Sequence, residues 1–220
     1  MFYLPDSDKH GLRYNPFKSC IVPRPIGWIT TLKPNGRTNL APFSQFNLVG
    51  FEPGYVLFSA NSHPPDDRPK NSTLNAERTG EFVYNMATWD LRKAVVASSQ
   101  LMDDEIDDLE ALGLTHAPSA VVAVPRVAQS PVAFECRHHS TVFLPGLTPG
   151  TSHRLVIGRV VGIHIADDAL MPDGKLDVAR IKPLARLGYM DYACVDNTFT
   201  VEPPRGLVSE TTLRRMHGGD

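Results

Sequence analysis

Long hydrophobic runs are missing from this sequence: none approaches the ~18 residues that a membrane-spanning helix requires. Its opening, Met1-Phe2-Tyr3-Leu4-Pro5-Asp6, has no basic stretch leading into an apolar core, so a secretory leader is not expected. Cysteine is scarce, with Cys20, Cys136 and Cys194 an odd set that contains no Cys-x-x-Cys pair. This argues against a disulfide-built scaffold and for a reducing compartment, the cytoplasm. An excess of basic charge is lacking as well: 22 Lys and Arg stand against 24 Asp and Glu, a formal net charge of −2. Nucleic acid is therefore not an expected partner. No Gly-x-Gly-x-x-Gly and no Gly-x-x-x-x-Gly-Lys-Ser/Thr run occurs, which excludes the usual phosphate loops of dinucleotide-binding and nucleotide-hydrolysing folds. A Gly-x-Ser-x-Gly nucleophile elbow is absent too.

Proline and glycine, by contrast, are plentiful, at 19 and 16 of 220 residues, which demands many turns and argues against a helical bundle. The length suits one domain, read here as residues 1–204, followed by a polar tail over 205–220 that ends in Gly218-Gly219. Strands are expected over 26–32, 38–44, 55–60, 81–85, 132–136, 153–162 and 199–201, where β-branched and aromatic residues gather. Between the first two, Asn35-Gly36 supplies the residues that tolerate φ > 0 in a hairpin. Gly158 and Gly162 mark bulges or close approaches within the longest strand. Ser72 to Gly80 carries helix-start and helix-stop signals, and 91–101 and 105–112 also allow helix. The pattern is all-β with short helices, a closed or split barrel rather than a parallel α/β sheet.

Two clusters could carry chemistry. The first runs from Pro23-Arg24-Pro25-Ile26 to Thr30-Thr31, and resumes after the turn as Asn39-Leu40-Ala41-Pro42-Phe43-Ser44. Proline cannot donate to a ladder, so Pro42 marks an edge or the end of pairing, where amides can face a ligand. The second, Asp67-Arg68-Pro69-Lys70-Asn71-Ser72-Thr73, sets cations and hydroxyls at a helix start, a natural phosphate site. Together they suit one elongated ligand with a ring at one end and a phosphate at the other. Adjacent His138 and His139 point to opposite faces of a strand and cannot chelate one metal, so no metal site is expected. The acids from Asp103 to Asp108 read as a solvated helix start.

These stretches resemble the flavin reductase-like FMN-binding proteins of the split-barrel class. The likeness runs in order through Pro23 to Thr31, Asn39 to Asn47, Val56 to Ala60, Lys70 to Asn75, Thr79 to Asn85, His153 to Gly162 and Leu187 to Tyr192. It implies a six-stranded antiparallel split β-barrel, a homodimer and bound FMN. Carried over by position, Arg24, Pro25, Ile26, Thr30 and Thr31 lie along the flavin. Ala41, Pro42 and Ser44 meet the ring edge, and Ser59 sits beside the ribityl chain. Lys70, Asn71, Ser72 and Thr73 hold the phosphate. Family members often have Asp then Thr after that lysine, where this chain has Asn71 and Ser72, and Pro64-Pro65-Asp66-Asp67 is an extra stretch. His153 resembles a histidine near the nicotinamide site. The implied activity is hydride transfer from NAD(P)H to flavin, as a stand-alone reductase or the reductase component of a two-component oxygenase. A flavin store or sensor without turnover is the alternative, and a split barrel holding haem a third.

Overall fold

The computed structural model describes residues 1–7 and 10–201, so the expected tail at 205–220 lies outside the described residues. In chain order it contains β1 (Arg24–Pro25), β2 (Gly27–Leu32), β3 (Thr38–Phe43), β4 (Phe46–Phe51), β5 (Gly54–Asn61), α1 (Asn71–Thr79) and β6 (Glu81–Met86). There follow α2 (Arg92–Ala97), α3 (Asp108–Ala111), β7 (His116–Ala117), β8 (Arg126–Val127), β9 (Val132–Pro145) and β10 (Ser152–Ile165). The series closes with α4 (Val178–Ile181), β11 (Leu184–Arg186) and β12 (Tyr192–Cys194). Among the described residues no helix is long and apolar enough to cross a membrane.

The main sheet has seven antiparallel strands in the order β3-β2-β6-β9-β10-β5-β4, one more than the expected six. The added strand is β4, whose Phe46-Asn47-Leu48-Val49-Gly50-Phe51 was hidden by its glycine and lack of alternation. The order itself shows that the sheet curls. Its two outermost strands, β3 and β4, are joined by Ser44 and Gln45 alone. Three Cα steps span at most about 11 Å, whereas six flat inter-strand gaps need about 29 Å. The edges must therefore meet at this corner, which makes a barrel. Rings cross its interior accordingly: Phe43 lies 4.8 Å from Phe58, and Phe46 stacks on Tyr84 at 4.6 Å.

Strand β2 is buried on both faces, as its continuous Gly-Trp-Ile-Thr-Thr-Leu run implies. Ile29 joins the cluster of Phe46, Phe58 and Phe82, while its neighbour Trp28 joins Val95, Leu109 and Leu184 beneath the helices. Gly158 does what was expected of it. The ladder with β9 shifts there, and a Cβ at this position would meet the Phe82 ring at 2.3 Å. The short sheet β1-β11-β12 was not anticipated, and residues 199–201, expected as a strand, form none. A two-residue strand such as β1 carries no periodic signal.

Candidate functional site

The corner that closes the barrel also divides two cavities. One, of about 130 Å³, is lined by Asn39 to Phe43 at the end of β3, by Lys70, Asn71 and Ser72 at the start of α1, and by Ser98 to Met102. The other, of about 690 Å³, includes Arg24, Pro25, Ser44, Phe46, Ser59 and His153. Phe43 lines the smaller and its neighbour Ser44 the larger. The larger volume lies in the range of small-molecule sites.

The end of β3 is shaped by the edge it forms. Thr38 N donates to Asp107 Oδ2 and Leu40 N to Asp108 Oδ2, both at 2.8 Å. The next outward position is Pro42, which has no N–H to satisfy. Two carboxylates and a proline thus cover an edge that would otherwise offer free donors. Asp103, Asp104 and Glu105 are exposed, but Asp107 and Asp108 are buried and Asp108 pairs with Lys33 at 2.8 Å, so the expected solvated helix start is corrected at these two. Asp107 does cap α3, accepting from Leu109 N and Glu110 N. An acid run looks the same whether it meets water or a strand edge seventy residues upstream.

At α1 the helix opens on Lys70, which is extended and gives no side-chain cap. Thr73 N and Leu74 N return to Lys70 O, at 2.9 and 3.1 Å. The N–H groups of Asn71 and Ser72 make no hydrogen bond among the described residues, so the helix start keeps two donors and its dipole. Ser72 Oγ accepts from Asn39 Nδ2 at 2.9 Å, which leaves the hydroxyl proton as a further donor. Acids are close as well: Asp108, bonded to Lys33, lines the same cavity, and Asp104 Oδ1 accepts from Asn71 Nδ2 at 3.4 Å. Burial, then Arg68, holds the Lys70 ammonium below the usual lysine range. Gly80, left-handed at φ 73°, ends the helix as its sequence indicated.

In the larger cavity Arg24 donates to the carbonyls of Lys18 and Ile21. It stands directly opposite Arg186 in the ladder of β1 and β11. Burial, then Arg186, lowers its pKa, and its Nε is shielded from solvent without a partner. His153 pairs with Asn61 across β10 and β5, and its Nδ1 lies 2.9 Å from Asn61 Oδ1.

Not every expected residue faces a cavity. Arg24, Pro25, Ser44, Ser59 and His153 line the larger one, and Ala41, Pro42, Lys70, Asn71 and Ser72 the smaller. Ile26 lies in the core beside Trp28. Thr30 donates to Pro125 O at 2.8 Å, away from both. Thr31 Oγ1 receives Asn39 and Asn75 at 3.2 and 3.1 Å, so it ties β3 and α1 together. Thr73 is fully buried in the first turn of α1. The wall formed by Ser98 to Met102 carried no sequence signal, because nothing local marks a loop that folds back over a distant helix. His138 and His139 diverge as expected, one 2.9 Å from Thr141 and the other against the Tyr55 ring.

Comparison with known proteins bears on the family and the fold. Residues 19–185 match a family described as flavin reductase like domain. A protein of Halalkalibacterium halodurans is 34% identical over 200 residues, 91% of this chain and 95% of that one. Among solved structures, nitrilotriacetate monooxygenase component B from Bacillus cereus superposes with a TM-score of 0.82 at 26% identity, covering 91% of this chain and 98% of that chain. The 2-nitrobenzoate 2-nitroreductase of Pseudomonas fluorescens, at 23% identity, shares the fold with a TM-score of 0.79 over 96% of this chain and 100% of that chain.

Proposed function

This chain belongs to the flavin reductase-like domain family, and on that premise we propose that it holds FMN across the β3–β4 corner as an NAD(P)H-dependent flavin reductase. One observation carries the reading. The phosphate-side residues Lys70, Asn71 and Ser72 share a cavity with Ala41 and Pro42, and Ser44 lines the second cavity two residues further on. An elongated ligand has a polar seat at one end and a broad, mostly apolar one at the other.

The residues fit such a ligand chemically. Asn71 N, Ser72 N, the Ser72 hydroxyl and the Lys70 ammonium are donors suited to phosphate oxygens. Arg24, with its unpartnered Nε, offers a positive charge and a donor where a reduced ring gathers negative charge. Held by Lys70, Asn71 and Ser72 at one end and beside Arg24 at the other, FMN would supply the redox chemistry of a hydride acceptor. The chain orients, holds charge and shapes the cavity wall. Asn61 fixes the His153 ring through Nδ1, and His153 is the nominated contact to the nicotinamide. The likeness to a monooxygenase component B supports an oxygenase as electron acceptor. A homodimer and a cytoplasmic setting complete the proposal, the latter in keeping with three free cysteines.

Titration with FMN and riboflavin, followed by NADH and NADPH oxidation assays with FMN, FAD and riboflavin, tests it. FMN is expected to lose fluorescence on binding and to support steady oxidation of at least one nicotinamide. No quenching would overturn the cofactor, and quenching without turnover would leave a flavin store or sensor.

A further inference from the structure

The extra stretch before α1 brings an ionisable ring beside Lys70. His63 N donates to Arg68 O at 2.8 Å, closing Pro64-Pro65-Asp66-Asp67 into a tight turn. The turn sets His63 Nδ1 3.5 Å from Lys70 Nζ. Its two acids are engaged elsewhere. Asp66 Oδ1 accepts from Arg68 N at 3.4 Å, and Asp67 bonds Ser152 and, at 3.3 Å, Arg154. His63 Nε2 is shielded from solvent without a partner, and so is Oγ1 of the fully buried Thr73 in the first turn of α1. Burial, then Lys70, then Arg68, holds the ring below the usual histidine range, and Asp66 opposes them.

A neutral ring accepts the Lys70 N–H at Nδ1; a protonated one donates from both nitrogens and turns the ammonium away. A dianion nearby reverses the local field and favours that second state. We propose that His63 takes up a proton from solvent when a phosphate monoester settles at the start of α1, so that His63 and Lys70 meet the dianion together. His63 then sets the preference for a flavin carrying a monoester over flavins carrying a diester or no phosphate. The inference rests on the placement of the flavin phosphate proposed above.

Fluorescence titration of FMN and riboflavin between pH 7.0 and 8.5 tests it, with wild-type protein, His63→Gln and His63→Lys. In this range the monoester is already mostly dianionic, its second pKa being about 6, so its own ionisation adds little. One linked proton weakens binding up to about tenfold per pH unit. The wild-type Kd for FMN is expected to rise about five- to thirtyfold across the range, with riboflavin nearly flat. His63→Gln is expected to bind FMN at least about fivefold more weakly at pH 7.0 with no slope, and His63→Lys to bind tightly with no slope. A flat wild-type profile, or a slope retained in His63→Gln, overturns the proposal. Equal affinity for FMN and riboflavin at every pH is a separate result: it breaks the phosphate placement itself, and the inference with it.

Discussion

Lys33 is bonded to Asp108, and Lys70 lines the same small cavity as Asp108, yet the two ammonium groups stand in opposite conditions. Lys33 is 2% exposed and donates to Asp103 O, Ile106 O and Asp108 Oδ1 at 3.1, 2.6 and 2.8 Å. Its three protons have three acceptors, one of them charged. Lys70 has a histidine nitrogen at 3.5 Å and the charge of Arg68 for company. The first is structure, a cross-brace from the β2–β3 turn to the loop that covers the strand edge. The second lacks a charged acceptor of its own, in keeping with the phosphate seat proposed above. Partner counting separates the two where residue type and neighbourhood do not.

The contrast can be broken most forcefully at Lys33. Lys33→Met leaves Asp108 buried without its cation and frees the loop carbonyls of Asp103 and Ile106. Removing one partner of a buried pair costs about 3–5 kcal/mol, so the urea midpoint should fall sharply. A loss below about 1 kcal/mol, the worth of an exposed pair, would show that the brace is ornamental.

Acid offers the next test, on a buried carboxylate with four partners. Glu135 has no exposed surface. Burial pushes its pKa up, but the N–H groups of Ala120, Val121 and Val122 and the His164 ring together bring it down to about 2. A carboxyl depressed in the fold contributes stability above its unfolded value, and that contribution drains away as pH falls from about 4.5 towards 2. The depression corresponds to about 3 kcal/mol. Equilibrium unfolding between pH 5 and 2.5 should therefore steepen in the wild type and flatten in Glu135→Gln. Identical slopes would mean that some other carboxyl governs acid unfolding.

Lys70 comes next, and here the expected loss is in binding. Lys70→Ala should weaken FMN by about 1.5–3 kcal/mol, roughly 10- to 150-fold, by removing a charge-assisted contact to phosphate. Riboflavin, without the phosphate, should bind much as before. Equal losses for both flavins would show that Lys70 does not meet the phosphate.

Much of this was legible before any coordinates, and what was not follows from range. The hairpin at Asn35-Gly36, the Gly80 helix stop and the bulges at Gly158 and Gly162 are local chemistry, and each appears where its residues indicated. Pro42 announced an edge, and β3 is one. What stayed hidden depends on residues far apart in the chain. Asp107 and Asp108 look like surface acids until β3 is laid beside them. Thr31 looks like a ligand contact until Asn39 and Asn75 claim its hydroxyl.

The smallest expected effect is the most telling about the contrast. If Lys70 serves no structural end, removing its charge should leave the fold no weaker. The ammonium is held below its usual range by burial and by Arg68, so the fold tolerates that charge rather than drawing on it. Lys70→Met keeps the apolar stem and discards the charge. Its stability should stay within about 0.5 kcal/mol of wild type, on the favourable side if either. Lys33→Met, the same substitution beside the same cavity, should lose several kcal/mol and keep its flavin preference while folded. Binding and stability would then move apart between two lysines, as they do where a fold stores unfavourable charge for a ligand. A Lys70→Met protein weakened by more than about 1.5 kcal/mol would expose a structural partner for that ammonium and collapse the distinction.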